Sequence, residues 1–280
     1  MTGALISFCA TALSVRALAG SLNIFEILTV RTTIGLTIML TLAAMRPERM
    51  RNLGMHAMGL HLIRNSFHFV GQYVWTLSIT LLPLATVFAL EFTMPVWVAL
   101  LAVPILGERM TVSRAGSIVL GFLGVLIILR PGLAAFQPTA LLVLVGAFVF
   151  SISLIATKKM LTGGVSAYAI IFWMMVMQLP MGLLGTDLLF VLKLDAEKIL
   201  PILVMGVAGV IAQYCVANAF HAGDATLVIS LDFLRIPAIA VIGWLFYTEA
   251  LDAFVFIGAA VIVVGVVWNL RAEARAMAPR

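Results

Sequence analysis

Arg64, His68, Gln72 and Trp75 follow one another at i, i+4, i+8 and i+11 within "LIRNSFHFVGQYVW", residues 62–75. That spacing sets a cation, an imidazole, an amide and an indole on one helical face. Arg64 keeps its proton at any physiological pH, so this face calls for an anion. The anion is either a fixed carboxylate or the carboxylate or phosphate of a ligand. Glu91, on the next helical segment, is the expected fixed partner. A permanent Arg64–Glu91 pair that only fixes helix packing is the structural alternative to a binding site.

A second set of ionisable residues lies further along. Glu91 stands four residues before Pro95, and Phe233, beside Asp232, stands four before Pro237. Proline removes the hydrogen bond to the carbonyl four residues earlier, so both helices should break beside an acid. A carboxylate in low dielectric is costly unless protonated or paired, which makes Glu91 the expected coupling acid. Asp232 and Arg235 are i, i+3 and form a local pair by default. Tyr214 and Asn218 complete the candidate binding residues. Arg31 is expected to snorkel toward the membrane surface. Trp97 walls a cavity or packs against lipid, and Glu108 and Glu249 fall at span ends, where structural roles are expected.

The elements that position these groups must lie in a bilayer. The chain has 280 residues, 63% hydrophobic and only 10% charged, against roughly half and a quarter in soluble domains. Apolar stretches fall near 3–18, 24–45, 57–81, 84–106, 111–129, 139–157, 166–191, 199–221, 225–247 and 252–270. Most are long enough to cross about 30 Å of hydrocarbon. The fold expected is an all-α membrane protein with ten transmembrane helices. The first run reads as an uncleaved helix rather than a leader. Of 17 Lys and Arg, ten fall in one set of loops and the C-terminal tail, four in the other set. That imbalance places both termini in the cytoplasm. The other three, Arg31, Arg64 and Arg235, lie within spans and outnumber the acids Glu91 and Asp232, which favours a ligand with an anionic group.

Residues 72–130 align without a gap to 213–271 at an offset of 141. Gln72-Tyr73 meets Gln213-Tyr214, Glu91 meets Asp232, Glu108 meets Glu249, and Gly124-Val125 meets Gly265-Val266. Five helices separate the copies, an odd number, so the second copy enters the membrane in the opposite sense. Two inverted five-helix repeats, 1–134 and 135–280, are the architecture of many secondary transporters. Arg64 and His68 meet Met205 and Gly209 at this offset. Residues that break the symmetry are the better candidates for gripping an asymmetric ligand.

The stretch "LPLATVFALEFTMPVWVALLAVPILGERMTVSRAGSIVLGFLGVLIIL" (82–129) and its echo "GDATLVISLDFLRIPAIAVIGWLFYTEALDAFVFIGAAVIVVGVVW" (223–268) resemble the EamA-type branch of the drug/metabolite transporter superfamily. The resemblance implies a ten-helix carrier of small metabolites in the inner membrane, coupled to protons or to exchange. It also implies a cavity lined by the third, fourth, eighth and ninth helices along with the first and sixth. Thr248-Glu249 departs from that family's second Gly-Glu.

Cys9 and Cys215 both fall in apolar runs and read as buried thiols. No P-loop, dinucleotide fingerprint or metal-spaced Cys/His cluster occurs in the chain, so no cofactor is expected. The basic residues form no stripe, which argues against nucleic acid. The expected function is secondary transport of a small carboxylate-bearing metabolite, an amino acid or organic anion, by alternating access. Protons are the candidate coupling partner, and a monomer or weak homodimer the expected state. The competing readings are an intramembrane enzyme using His68 and Glu91 as an acid–base pair, and an exporter of neutral or cationic drug-like metabolites.

Overall fold

The structure, a computed structural model, describes residues 2–48, 53, 55–106, 110–130, 137–222 and 235–277. Eleven α-helices occur among them. In chain order they are α1 Thr2–Leu18, α2 Ile24–Met45, α3 Met58–Leu81, α4 Leu84–Glu91, α5 Met94–Leu106 and α6 Val112–Leu129. Then come α7 Ala140–Thr162, α8 Ala167–Leu183, α9 Ala196–Ala222, α10 Arg235–Tyr247 and α11 Ala253–Met277. Six segments are long and apolar enough to cross a membrane, the run through α4 and α5 among them, and α1, α8 and α10 are shorter apolar helices. The protein is a multi-pass, all-helical membrane protein.

Two expected spans are interrupted. α8 stops at Leu183, near Pro180 and Gly182, and a short 3-10 turn, Leu188–Lys193, follows. The fourth span breaks after Glu91, four residues before Pro95, where the missing N–H was expected to break it. Thr93 bridges the gap: its N–H (3.0 Å) and its hydroxyl (2.7 Å) both donate to the Leu90 carbonyl. Its own carbonyl accepts from Val96 and Trp97 to start α5.

The helices pack as two compact units, each drawing on both halves of the chain. One holds Thr2–Thr80 and Ile152–Ala217. Within it α2 and α8 run antiparallel. The start of α2 is capped by a reciprocal Asn23–Glu26 box, and Asn23 also donates to the Gly185 carbonyl at 3.3 Å. At the far end the Tyr168 hydroxyl donates to the Met39 carbonyl at 3.0 Å. Cys9 is buried and Cys215 half-buried, both as free thiols.

The other unit holds the described residues of Leu81–Ser151 and Asn218–Arg280. Its centre is the crossing of α6 and α11. A Cβ placed on Gly124 or on Gly258 would lie 2.6 Å from the other's carbonyl oxygen, so the two backbones touch. A Cβ on Gly265 would lie 3.2 Å from the Ser117 carbonyl. Gly124 and Gly265, like Ser117 and Gly258, are 141 residues apart. The two contacts therefore exchange under that offset, as contacts across a twofold axis do. Early residues of α6 meet late residues of α11, which makes the pair antiparallel. Glu249 completes the unit by accepting the Leu84 N–H at 2.8 Å, a carboxylate at the positive end of α4.

Candidate functional site

α3 is built inside out for water and correctly for lipid. His61, Arg64, Asn65, His68, Trp75, Thr76 and Ser78 form its buried face. Leu62, Ile63, Phe67 and Val70 on the opposite face are exposed. Such burial requires polar partners, since a charge facing hydrocarbon costs about 2.5–3.5 kcal/mol or more.

The partners are neutral. Arg64 Nη1 donates to Asn65 Oδ1 at 2.7 Å, and its Nε to Thr157 Oγ1 of α7 at 3.4 Å. Asn65 Nδ2 reaches Met177 Sδ of α8 at 3.2 Å. His68 Nδ1 lies 2.9 Å from Gln178 Nε2 of α8. With that amide donating, the ring proton of a neutral His68 sits on Nε2. One turn on, Gln72 Oε1 accepts from Arg31 Nη1 of α2. Arg31 lies over α9, where a Cβ on Gly209 would come within 3.1 Å of its Nε. Gly209 stands 141 residues after His68, the offset at which the two sequence stretches align.

These contacts correct two expectations. Arg64 does not pair with Glu91; its hydrogen bonds go to Asn65 and Thr157. Arg31 does not snorkel but joins Gln72 in the row. Among the described residues no ion pair reaches Arg31 or Arg64. The result is a polar row from Arg64 to the Arg31–Gln72 contact, eight residues or about 12 Å along α3, in which neither guanidinium meets a carboxylate among the described residues.

Glu91 is partnered in the other unit. Arg235 Nη2 lies 3.4 Å from Glu91 Oε1, both groups buried. The guanidinium is stacked against two rings, 5.0 Å from the centroids of Phe88 and Phe92, a cation–π arrangement on both neighbours. The default Asp232–Arg235 pair involves Asp232, which lies outside the described residues. The side chain of Asn218 also lies outside them. His68 and Glu91, the acid–base pair of the competing enzyme reading, have described partners in Gln178 and Arg235 respectively.

Of the other candidates, Trp75 is buried on the α3 face. Tyr214 is 62% exposed. Tyr73 packs at a tilt against Phe25 with centroids 5.0 Å apart. Trp97 packs edge-on against Phe122 and Phe148, each at 5.4 Å. Thr157, Gln178 and His61 were not singled out from sequence, and Asn65, a conspicuous amide within residues 62–75, was not among the candidate binding residues. For His61 and Asn65 the signal was available, since both continue the Arg64 face. Thr157 and Gln178 carry no such mark among apolar neighbours.

The sequence pattern of the EamA-like transporter family matches residues 1–130 and again residues 137–271. The chain belongs to the EamA-like transporter family. A riboflavin transporter of Rhizobium johnstonii is 31% identical over 232 residues, covering 81% of this chain and 76% of that protein. An S-adenosylmethionine uptake transporter of Rickettsia prowazekii is 24% identical over 221 residues, covering 79% and 74%. A crystal structure with 16% identity superposes with a TM-score of 0.64, covering 97% of this EamA-like chain and 96% of its own, which supports the fold. This chain is a transporter.

Proposed function

We propose that this chain is a secondary active transporter that moves a small metabolite across the inner membrane by alternating access. Its ten spans form two inverted five-helix repeats, 1–134 and 135–280, with both termini cytoplasmic. The antiparallel α6–α11 crossing, with contacts that exchange under the 141-residue offset, supports this. So does the twofold match to the family pattern.

The substrate carries a carboxylate or an equally acceptor-rich group. The observation behind this is the row Arg31, Arg64, His68 and Gln72, whose cations meet amides and a hydroxyl but no described carboxylate. Guanidinium donors recognise carboxylates in a planar, two-pronged way. Riboflavin and S-adenosylmethionine, named for the relatives, both present acceptors: a carbonyl-rich ring edge and a carboxylate. Trp75 and Tyr214, of the same packing unit, remain proposed contacts of that substrate, while Asn218, Asp232 and Arg235 stay substrate candidates on the sequence argument alone.

Glu91 is the proposed coupling acid. The buried carboxylates among the described residues are Glu26 and Glu91, and Glu26 is committed to the α2 cap. Protonating Glu91 would release Arg235, giving two states for a proton to select between.

The test is uptake of labelled riboflavin and S-adenosylmethionine into proteoliposomes, with amino acids and organic acids as competitors. Saturable uptake of one probe, blocked by acceptor-rich competitors, is expected. Uptake blocked only by cationic amines would overturn the substrate assignment. Glu91→Gln should carry substrate down its gradient without responding to an imposed pH gradient. A mutant that still follows the pH gradient removes Glu91 from coupling.

A further inference from the structure

His61 stands three residues before Arg64 on the same buried face of α3 and is fully buried. Neither ring nitrogen has a hydrogen-bond partner among the described residues. Its aromatic neighbour Trp173, 6.0 Å between ring centroids, has no donor to spare, because its single N–H goes to the Leu53 carbonyl at 2.8 Å. Near this end of α3, Met160, Val165, Ala169 and Ile170 form an apolar cluster with Ala57 and Leu60 packed on it. Arg64 in turn spends Nη1 on Asn65 and Nε on Thr157, and its Nη2 has no partner among the described residues. A buried polar group without a partner is rare in native proteins and points to a missing ligand or water. Here His61 is such a group, one helical turn before the Nη2 edge of Arg64 on the same buried face.

We propose that His61 and the free Nη2 edge of Arg64 together bind the carboxylate, phosphate or carbonyl-rich group of the substrate, extending the donor row by one turn. This rests on the substrate class proposed above and adds a residue to its binding site. A neutral imidazole supplies one N–H donor, and a planar guanidinium edge the second. An acceptor group held between them would satisfy both residues.

The test uses the full-length protein in detergent, with thermal shift against riboflavin, S-adenosylmethionine, succinate and inorganic phosphate, since ligands of the native state raise its melting temperature. His61→Phe keeps the volume and removes the donors. It should retain or raise the melting temperature of the ligand-free protein, because an unpartnered polar group is removed. It should weaken binding of whichever probe stabilises the wild type by about tenfold or more, as expected for a lost hydrogen bond to a charged group. His61→Gln, which keeps a donor, should recover most of that loss. A residue with a purely structural role would change the ligand-free melt and leave the affinity alone. If Arg64→Ala loses binding while His61→Phe binds as the wild type does, His61 is not part of the site and the substrate class stands. If Arg64→Ala also binds normally, or no probe stabilises the wild type, both proposals fall.

Discussion

Three arginines within the helices, Arg235, Arg64 and Arg31, are held in two contrasting ways. Arg235 is matched inside the protein: a carboxylate at 3.4 Å and two aromatic faces at 5.0 Å surround it. Arg64 and Arg31 have only an amide, a hydroxyl and a glutamine oxygen. A matched buried pair contributes little to stability by being there, but breaking it on one side is expensive. An unmatched cation is held ready for an anion from outside. The difference separates a group whose removal harms the fold from one whose removal harms binding.

Arg235→Ala attacks the matched side. It strands Glu91 in a buried, ring-lined place and should cost roughly 3–5 kcal/mol of stability. Denaturation of the purified protein measures it, and Glu91→Leu combined with Arg235→Met should recover most of the loss. A single mutant as stable as the wild type would erase the contrast. Arg64→Ala attacks the unmatched side. Stability should stay within about 1 kcal/mol, while uptake at low substrate falls about 100-fold, the scale of one or two charge-assisted hydrogen bonds. Full flux in that variant removes the donor row from transport. Gln178→Ala removes the group that orients His68 and should raise KM about tenfold with the maximal rate little changed. An unchanged KM would leave His68 as packing. The smallest effect belongs to Glu249→Gln, which weakens the cap on Leu84 and should lower stability by about 0.5–1 kcal/mol without touching uptake.

The span pattern was legible because hydrophobicity must persist for the width of a bilayer, whatever the helix packs against. The break after Glu91 was legible too, since proline acts on its own backbone. Partners were not. Sequence proximity offered Glu91 to Arg64, yet Thr157, the residue that bonds Arg64 from another helix, lies 93 residues away. Arg235 came with an obvious neighbour at i−3, but its described partner is Glu91, 144 residues earlier. Arg31 looked peripheral because depth along a helix was its only mark; the facing Gly209, which leaves room for a guanidinium, becomes meaningful only once α2 and α9 are adjacent. The 141-residue offset anticipated the α6–α11 crossing. Hydropathy did not reveal that the packing units would each take helices from both halves of the chain.

The inside-out face of α3 has a consequence for biosynthesis. Arg64 and His68 enter the bilayer with α3, but Thr157 and Gln178 have yet to be made. At about 5–20 residues per second, the 93 residues to Thr157 take roughly 5–20 s. Through that interval a newborn helix carries a naked cation and two imidazoles, sheltered by α2 through Arg31 and Gln72 or retained beside the insertion machinery. Ribosome-bound chains that stop before α7 should therefore remain attached to that machinery, and release should coincide with arrival of α7 and α8.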